Sequence, residues 1–178
     1  MTATNSIDLH LDSRAIIAVR EFDAPRDLVF EAWTDPEHLS RWWGPTGFTT
    51  TTSSFDMRPG GVWRFVMHGP DGRDYQNRIT YEEIVRPLRI VYRHGGGEDV
   101  EPVRFTTTVT FEALEAKSGG KTRITMRMDF PSAAERDRVI KDYGADKGLA
   151  QTLTRLNGYV SANVDERVRA APRARISQ

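Results

Sequence analysis

Two stretches of strict alternation constrain this chain more than anything else in it. Over residues 103–111, Val103, Phe105, Val109 and Phe111 fall on one side, while Arg104, Thr106, Thr108 and Thr110 fall on the other. Over 123–130, Ile124, Met126, Met128 and Phe130 alternate in the same way with Arg123, Thr125, Arg127 and Asp129. A period of two with one apolar side means antiparallel strands, one face in a core and one in water. Ser118-Gly-Gly-Lys121 reads as the hairpin between them. Earlier in the chain, Trp63, Phe65 and Met67 alternate with Arg64, Val66 and His68, and the turn Gly69-Pro-Asp-Gly72 follows. Further strands are expected over 14–22, 75–84 and 88–93.

Helical signals lie on either side of this strand-rich centre. Asp23-Ala-Pro25 opens a short helix with Leu28, Val29, Ala32 and Trp33 on one face. Asp35-Pro36 places an N-cap before a first-turn proline, and the second short helix runs to about Trp42 before Gly44-Pro45. A polar helix is expected over 132–142. From about Gly144 to Glu166, Ala145, Leu149, Leu153, Leu156, Val160 and Val164 trace the stripe of an amphipathic helix about 30 Å long at ~1.5 Å per residue. Gly158 inside it suggests a close approach of another backbone. One sheet with one apolar face must cover that face, and only this last helix is long enough. The expected fold is therefore α+β: a curved antiparallel sheet of about six or seven strands wrapped around a long C-terminal helix. Two short helices follow the first strand. Residues 1–12 read as a flexible leader, 13–166 as a single domain and 167–178 as a flexible basic tail.

Composition excludes more than it selects. With 178 residues the chain has the size of one domain. Its 25 basic and 25 acidic residues cancel, leaving no global field to hold nucleic acid or an anionic membrane. No apolar run approaches a membrane span, and the polar start lacks a signal-peptide pattern, so a cytoplasmic location is expected. The absence of cysteine removes disulfides, thiolate nucleophiles and thiolate metal sites. His10, His38, His68 and His94 show no zinc spacing, so neither metal nor other cofactor is expected. Strict alternation turns His68 outward. Glu82 and Glu83 are strand neighbours and should point to opposite faces. The run Gly95-Gly-Gly97 precedes Glu98, Asp99 and Glu101 and reads as a hairpin loop, not a phosphate cradle. The arginines are scattered along the whole chain.

Three segments carry a resemblance to a known family: FEAWTDPEHLSRWWGP (30–45), FDMRPGGVWRFVMHGPDG (55–72) and DKGLAQTLTRLNGYV (146–160). They resemble the bacterial stand-alone proteins similar to the C-terminal domain of the activator of heat-shock protein 90 ATPase. That family sits within the START-like, birch-pollen-allergen-like superfamily (SRPBCC). The resemblance covers about residues 14–165 and implies the helix-grip fold with a cavity for a hydrophobic small molecule. Many members carry Trp after the glycine that begins the last helix, where this chain has Leu149 after Gly148.

The candidate cavity lining follows from strand phase and helix stripe: Trp63, Phe65, Met67, Tyr75, Ile79, Phe105, Val109, Met126 and Met128 from the sheet, Leu149 and Leu153 from the helix. Asn77 and Thr107 interrupt apolar rows and are candidates to orient a guest. Trp42 and Trp43 cannot face the same way: one packs inward and the other sits at a cavity entrance or a partner surface, and Trp43 is counted with the lining. Trp33 reads as structural. The leading expectation is a binding protein for a hydrophobic, ring-containing small molecule. An alternative is a cyclase- or hydrolase-type enzyme using the same cavity, with Asn77, Tyr81, Tyr92 or Asp146 assisting proton transfer. A third, drawn from the resemblance alone, is a chaperone-linked interaction module. The resemblance is to the C-terminal domain alone, so the separate N-terminal domain through which the eukaryotic activators chiefly engage their chaperone is not expected, and this ranks it last. Zero net charge with an exposed Trp near residue 42 is compatible with a homodimer.

Overall fold

The structure is a computed structural model and describes residues 6–95, 103–114 and 120–170. The hairpin residues 118–119, the loop 96–101 and the end of the tail, 171–178, lie outside the described residues. Eight strands form one antiparallel sheet: β1 Asp8–Asp12, β2 Ala15–Phe22, β3 Thr49–Phe55, β4 Val62–His68, β5 Asp74–Val85, β6 Arg89–His94, β7 Phe105–Leu114 and β8 Lys121–Asp129, in the order β1-β2-β8-β7-β6-β5-β4-β3. Strands β3 to β8 are a simple meander. The chain reaches β3 from β2 by crossing the full width of the sheet through α1 Arg26–Glu31 and α2 Pro36–Trp42. Two further helices, α3 Ala133–Tyr143 and α4 Ala145–Ala170, follow the sheet.

The sheet has two more elements than the alternation revealed, and both are edge strands. In β1, Asp8–Asp12 was expected to be leader, yet it pairs with β2 from Asp8↔Val19 to Asp12↔Ala15. Its two-residue turn, Ser13-Arg14, lacks the Asn-Gly or Asp-Gly signature of tight hairpins, and Ser13 adopts φ 45° without one. In β3, the segment TTTTSSF carries no apolar row because an edge strand needs little burial. The last helix also runs further than Glu166, to Ala170.

The helix starts agree with their capping chemistry. Asp35 accepts a hydrogen bond from the Glu37 amide at 2.8 Å, with Pro36 in the first turn. Ser132 does the same for Glu135 at 3.1 Å ahead of α3, and Gly144 ends that helix in the left-handed region at φ 62°. Asp35→Ala should cost about 1 kcal/mol, lowering the thermal midpoint by about 2–4 °C. A calorimetric scan would check it.

One core holds these layers together. Leu149, Leu153, Leu156 and Val160 of α4 are buried with Ile16, Phe22, Trp63, Phe65, Val109, Ile124 and Met126 of the sheet. Trp42 is fully buried, donates from Nε1 to the Ala32 carbonyl at 3.0 Å and packs edge-on against Trp33 at 4.8 Å. With Trp42 sealed and Trp43 only partly exposed, the exposed tryptophan that suggested a homodimer is not there. Gly158 has open space where a Cβ would stand, so no backbone approach explains it. A register shift between Tyr81 and Glu83 overturns the expected split of Glu82 and Glu83. The extra residue lets both pair with β6 arginines of the outer face, Glu82 with Arg93 at 2.6 Å and Glu83 with Arg89. His68 is partly exposed on the outer face, as alternation required, between Asp74 and Thr51.

Candidate functional site: an apolar cavity under the last helix

The turn between α2 and β3 closes one side of a void of about 380 Å³ between sheet, α3 and α4. Trp43 terminates α2, and its ring lies edge-on to Trp63 at 4.9 Å and to Phe65 at 5.9 Å. Gly44 follows at φ 104°, a backbone state that disfavours a side chain. A Cβ there would also stand 3.2 Å from Met67 Cε and 3.3 Å from Phe48 Cβ. Arg155 of α4 holds this turn: its Nη1 lies 3.3, 3.0, 3.1 and 3.1 Å from the carbonyls of Trp43, Gly44, Pro45 and Phe48. Gly148 lets α4 come close to the same turn, because a Cβ at 148 would sit 3.3 Å from Pro45 Cγ.

The sheet supplies the floor. Met67, Tyr75, Asn77, Tyr92, His94, Phe105, Thr107, Met126 and Met128 line it, and Leu149 and Thr152 descend from α4. Exposed Arg73, Asp142 and Tyr143 mark where the void meets solvent. A space of this size and lining falls within the ~300–1,000 Å³ of small-molecule sites, and methionine lets such a wall adapt to its guest.

The polar groups of the floor are ordered by one hydrogen-bond chain. Asn77 Nδ2 donates to the Tyr75 carbonyl at 2.8 Å, so its Oδ1 is left to accept from His94 Nε2, also at 2.8 Å. That places the ring proton of neutral His94 on Nε2. The imidazole lies flat on Phe105, ring centres 4.8 Å apart with planes 9° apart. Burial pushes its pKa down to about 4, which keeps it neutral at pH 7. Burial raises the Tyr92 phenol well above its ordinary value, slightly countered by the nearby Thr107 hydroxyl. Thr107 Oγ1 is itself sealed and has no partner at full hydrogen-bond geometry.

Nine of the fourteen residues expected at the cavity line it: Trp43, Met67, Tyr75, Asn77, Phe105, Thr107, Met126, Met128 and Leu149. Trp63, Phe65, Ile79, Val109 and Leu153 do not. They share the inward phase but are covered, Trp63 and Phe65 by the Trp43 ring and the rest within the packed core. Of the groups considered for proton transfer, Asn77 and Tyr92 line the void, whereas Tyr81 and Asp146 lie outside it. Trp33, read as purely structural, contributes to the wall. His94 went unrecognised although Ile90, Tyr92 and His94 alternate on β6, a usable signal. Val139 and Tyr143 of α3 gave none, because that helix reads as polar.

A single sheet and a long covering helix with an apolar void between them define the architecture, and the comparisons place it. The model of the family described as Activator of Hsp90 ATPase homolog 1-like protein matches residues 23–161, and this chain belongs to that family. Its membership is consistent with the START-like (SRPBCC) superfamily. Among solved structures, a protein from Arthrobacter aurescens is 26% identical with a TM-score of 0.77, covering 90% of this chain and 93% of its own. Protein Ms6760 from Mycobacterium smegmatis is 28% identical with a TM-score of 0.74, covering 89% and 98%. Protein NE0264 from Nitrosomonas europaea, 24% identical at a TM-score of 0.73 over 86% and 98%, shares the fold. No curated protein matches the sequence. Among the described residues, no helix is long and apolar enough to cross a membrane, and no three His, Asp or Glu side chains gather as a metal site.

Proposed function

We propose that the chain uses a helix-grip arrangement to bind a hydrophobic, ring-containing small molecule in this cavity. The observation that carries the reading is the lining itself: aromatic and methionine side chains around about 380 Å³, with no charged group among the floor residues. Thermal unfolding against a panel of apolar and aromatic metabolites tests it. A guest at ~100 times its dissociation constant adds about 2.7 kcal/mol, which moves the midpoint by roughly 5–10 °C at this chain length.

Leu149→Trp puts an indole into the void at a position where related proteins commonly carry it, so the fold should tolerate the change. The saturable shift should then weaken by roughly tenfold or more in affinity, about 1.4 kcal/mol or more. A folded Leu149→Trp protein that responds to the same guest unchanged would place the guest elsewhere.

A second reading, turnover within the same cavity, is favoured by one observation. Neutral His94 borders the cavity with Nε2–H held by Asn77 Oδ1, which leaves Nδ1 as a hydrogen-bond acceptor fixed in orientation. Product formation from a bound guest, lost in His94→Gln while binding persists, would establish it.

A further inference from the structure

On the outer face, behind the cavity floor, the sheet gathers arginines that the sequence scatters. A polar groove of about 720 Å³ is lined by Arg14, Arg78, Arg93 and Arg104, with Thr80 and Thr106 hydroxyls between them. The pairing explains how residues so far apart in sequence meet. Thr80 lies opposite Arg93 and Thr106 opposite both Arg93 and Asp129. The Gly95 amide bonds the Arg78 carbonyl at 2.8 Å, and the Phe130 amide bonds the Arg14 carbonyl at 3.1 Å. Arg64 stands directly opposite Arg78 on the neighbouring strand.

Several arginines of the described residues sit against carboxylates, and three in this groove do not. Arg58, Arg89, Arg123, Arg127, Arg138 and Arg167 each meet a carboxylate. Within the groove Arg93 is taken by Glu82, and the Asp129 carboxylate is engaged by Arg127 Nε through both oxygens, at 3.1 and 3.0 Å. Arg14, Arg78 and Arg104 meet no carboxylate among the described residues. Three guanidinium groups with no carboxylate partner among the described residues, set around hydroxyl donors, form a surface that offers donors and positive charge. Guanidinium forks match phosphate and carboxylate oxygens two at a time.

We propose that this groove binds a small polyanion, one carrying phosphate or clustered carboxylate groups. The site is independent of the guest in the apolar cavity, although His94 and Phe105 border both voids. That shared border supplies a reporter.

Inorganic pyrophosphate and citrate would each be titrated at constant ionic strength while the Gly95 amide and His94 ring signals are followed by NMR, with sodium chloride and phosphatidylglycerol vesicles as separate arms. Saturable shifts with a dissociation constant below about 1 mM are expected for at least one of the two anions, and the tighter of them identifies the acid group. Arg78→Gln/Arg104→Gln should weaken that binding by roughly tenfold or more, while Arg41→Gln on α2 leaves it unchanged. Arg78→Lys/Arg104→Lys, which keeps the charge and loses the forks, should fall between and guards against a folding defect. Shifts that follow ionic strength without saturating, binding that survives in the folded Gln variant, or binding to vesicles alone would each overturn the proposal.

Discussion

Arg155→Met should lower the thermal midpoint by roughly 6–12 °C. One guanidinium nitrogen serves four carbonyls of the 43–48 turn, all within 3.3 Å. Hydrogen bonds from a charged donor contribute about 1.5–3 kcal/mol each. Two N–H groups shared among four acceptors do not count fourfold, so about 3 kcal/mol is the expected loss, checked by denaturant unfolding. Methionine keeps the packing of the side-chain stem and removes the donors together with the charge. Arg155→Lys should recover part of the loss, since an ammonium is a compact donor without the planar fork. The same turn carries Trp43, Gly44, Pro45 and Phe48 of the cavity wall. Guest binding should therefore weaken in Arg155→Met even at temperatures where the protein remains folded. A midpoint within about 2 °C of the parent would show that the turn holds without this contact.

Acidification should destabilise the protein before its carboxylates begin to titrate, and His94 is the reason. Folded, its pKa is pushed down to about 4 by burial, whereas an unfolded chain titrates near 6.5. Between those values the unfolded chain binds the extra proton. Stability then rises with pH, is fully present above about 6.5 and is lost progressively as pH falls toward 4. At ~1.4 kcal/mol per unit, and with the ring retaining some exposure, the loss is on the order of 2–3 kcal/mol. Urea unfolding between pH 7 and 5 isolates the effect. Glu21 beside Arg123, and Glu135 beside Arg138, have lowered carboxyl pKa values, and their stabilisation is lost only at lower pH. His94→Gln should flatten the slope over that window. An unchanged slope in the variant would assign the acid sensitivity to other groups.

Both predictions rest on residues whose importance was invisible along the chain. Arg155 is one arginine among 21, set within an amphipathic helix where a solvated position is the ordinary expectation. Its role depends on a turn more than a hundred residues away. His94 could have been reached from the alternation of Ile90 and Tyr92, but its tautomer depends on Asn77 across the strand pair. The strands with a buried face were legible because burial forces alternation. The edge strands β1 and β3 were not, because they bury little and their residues record no such demand.

The sequence by itself determined the class of fold, the central strands, both short helices and the long stripe of α4, since each is a local periodicity or cap. It also determined which side of each inner strand is apolar. Only the tertiary structure decided which of those apolar residues border empty space. Trp63, Phe65, Ile79, Val109 and Leu153 carry the same pattern as their neighbours, yet the Trp43 ring and the packed core cover them. A cavity is a place where packing stops, and no local rule of sequence marks where side chains from distant elements fail to meet. The arginine groove follows the same logic, for its members at 14, 78 and 104 become neighbours only through strand register and the turns that end the strands.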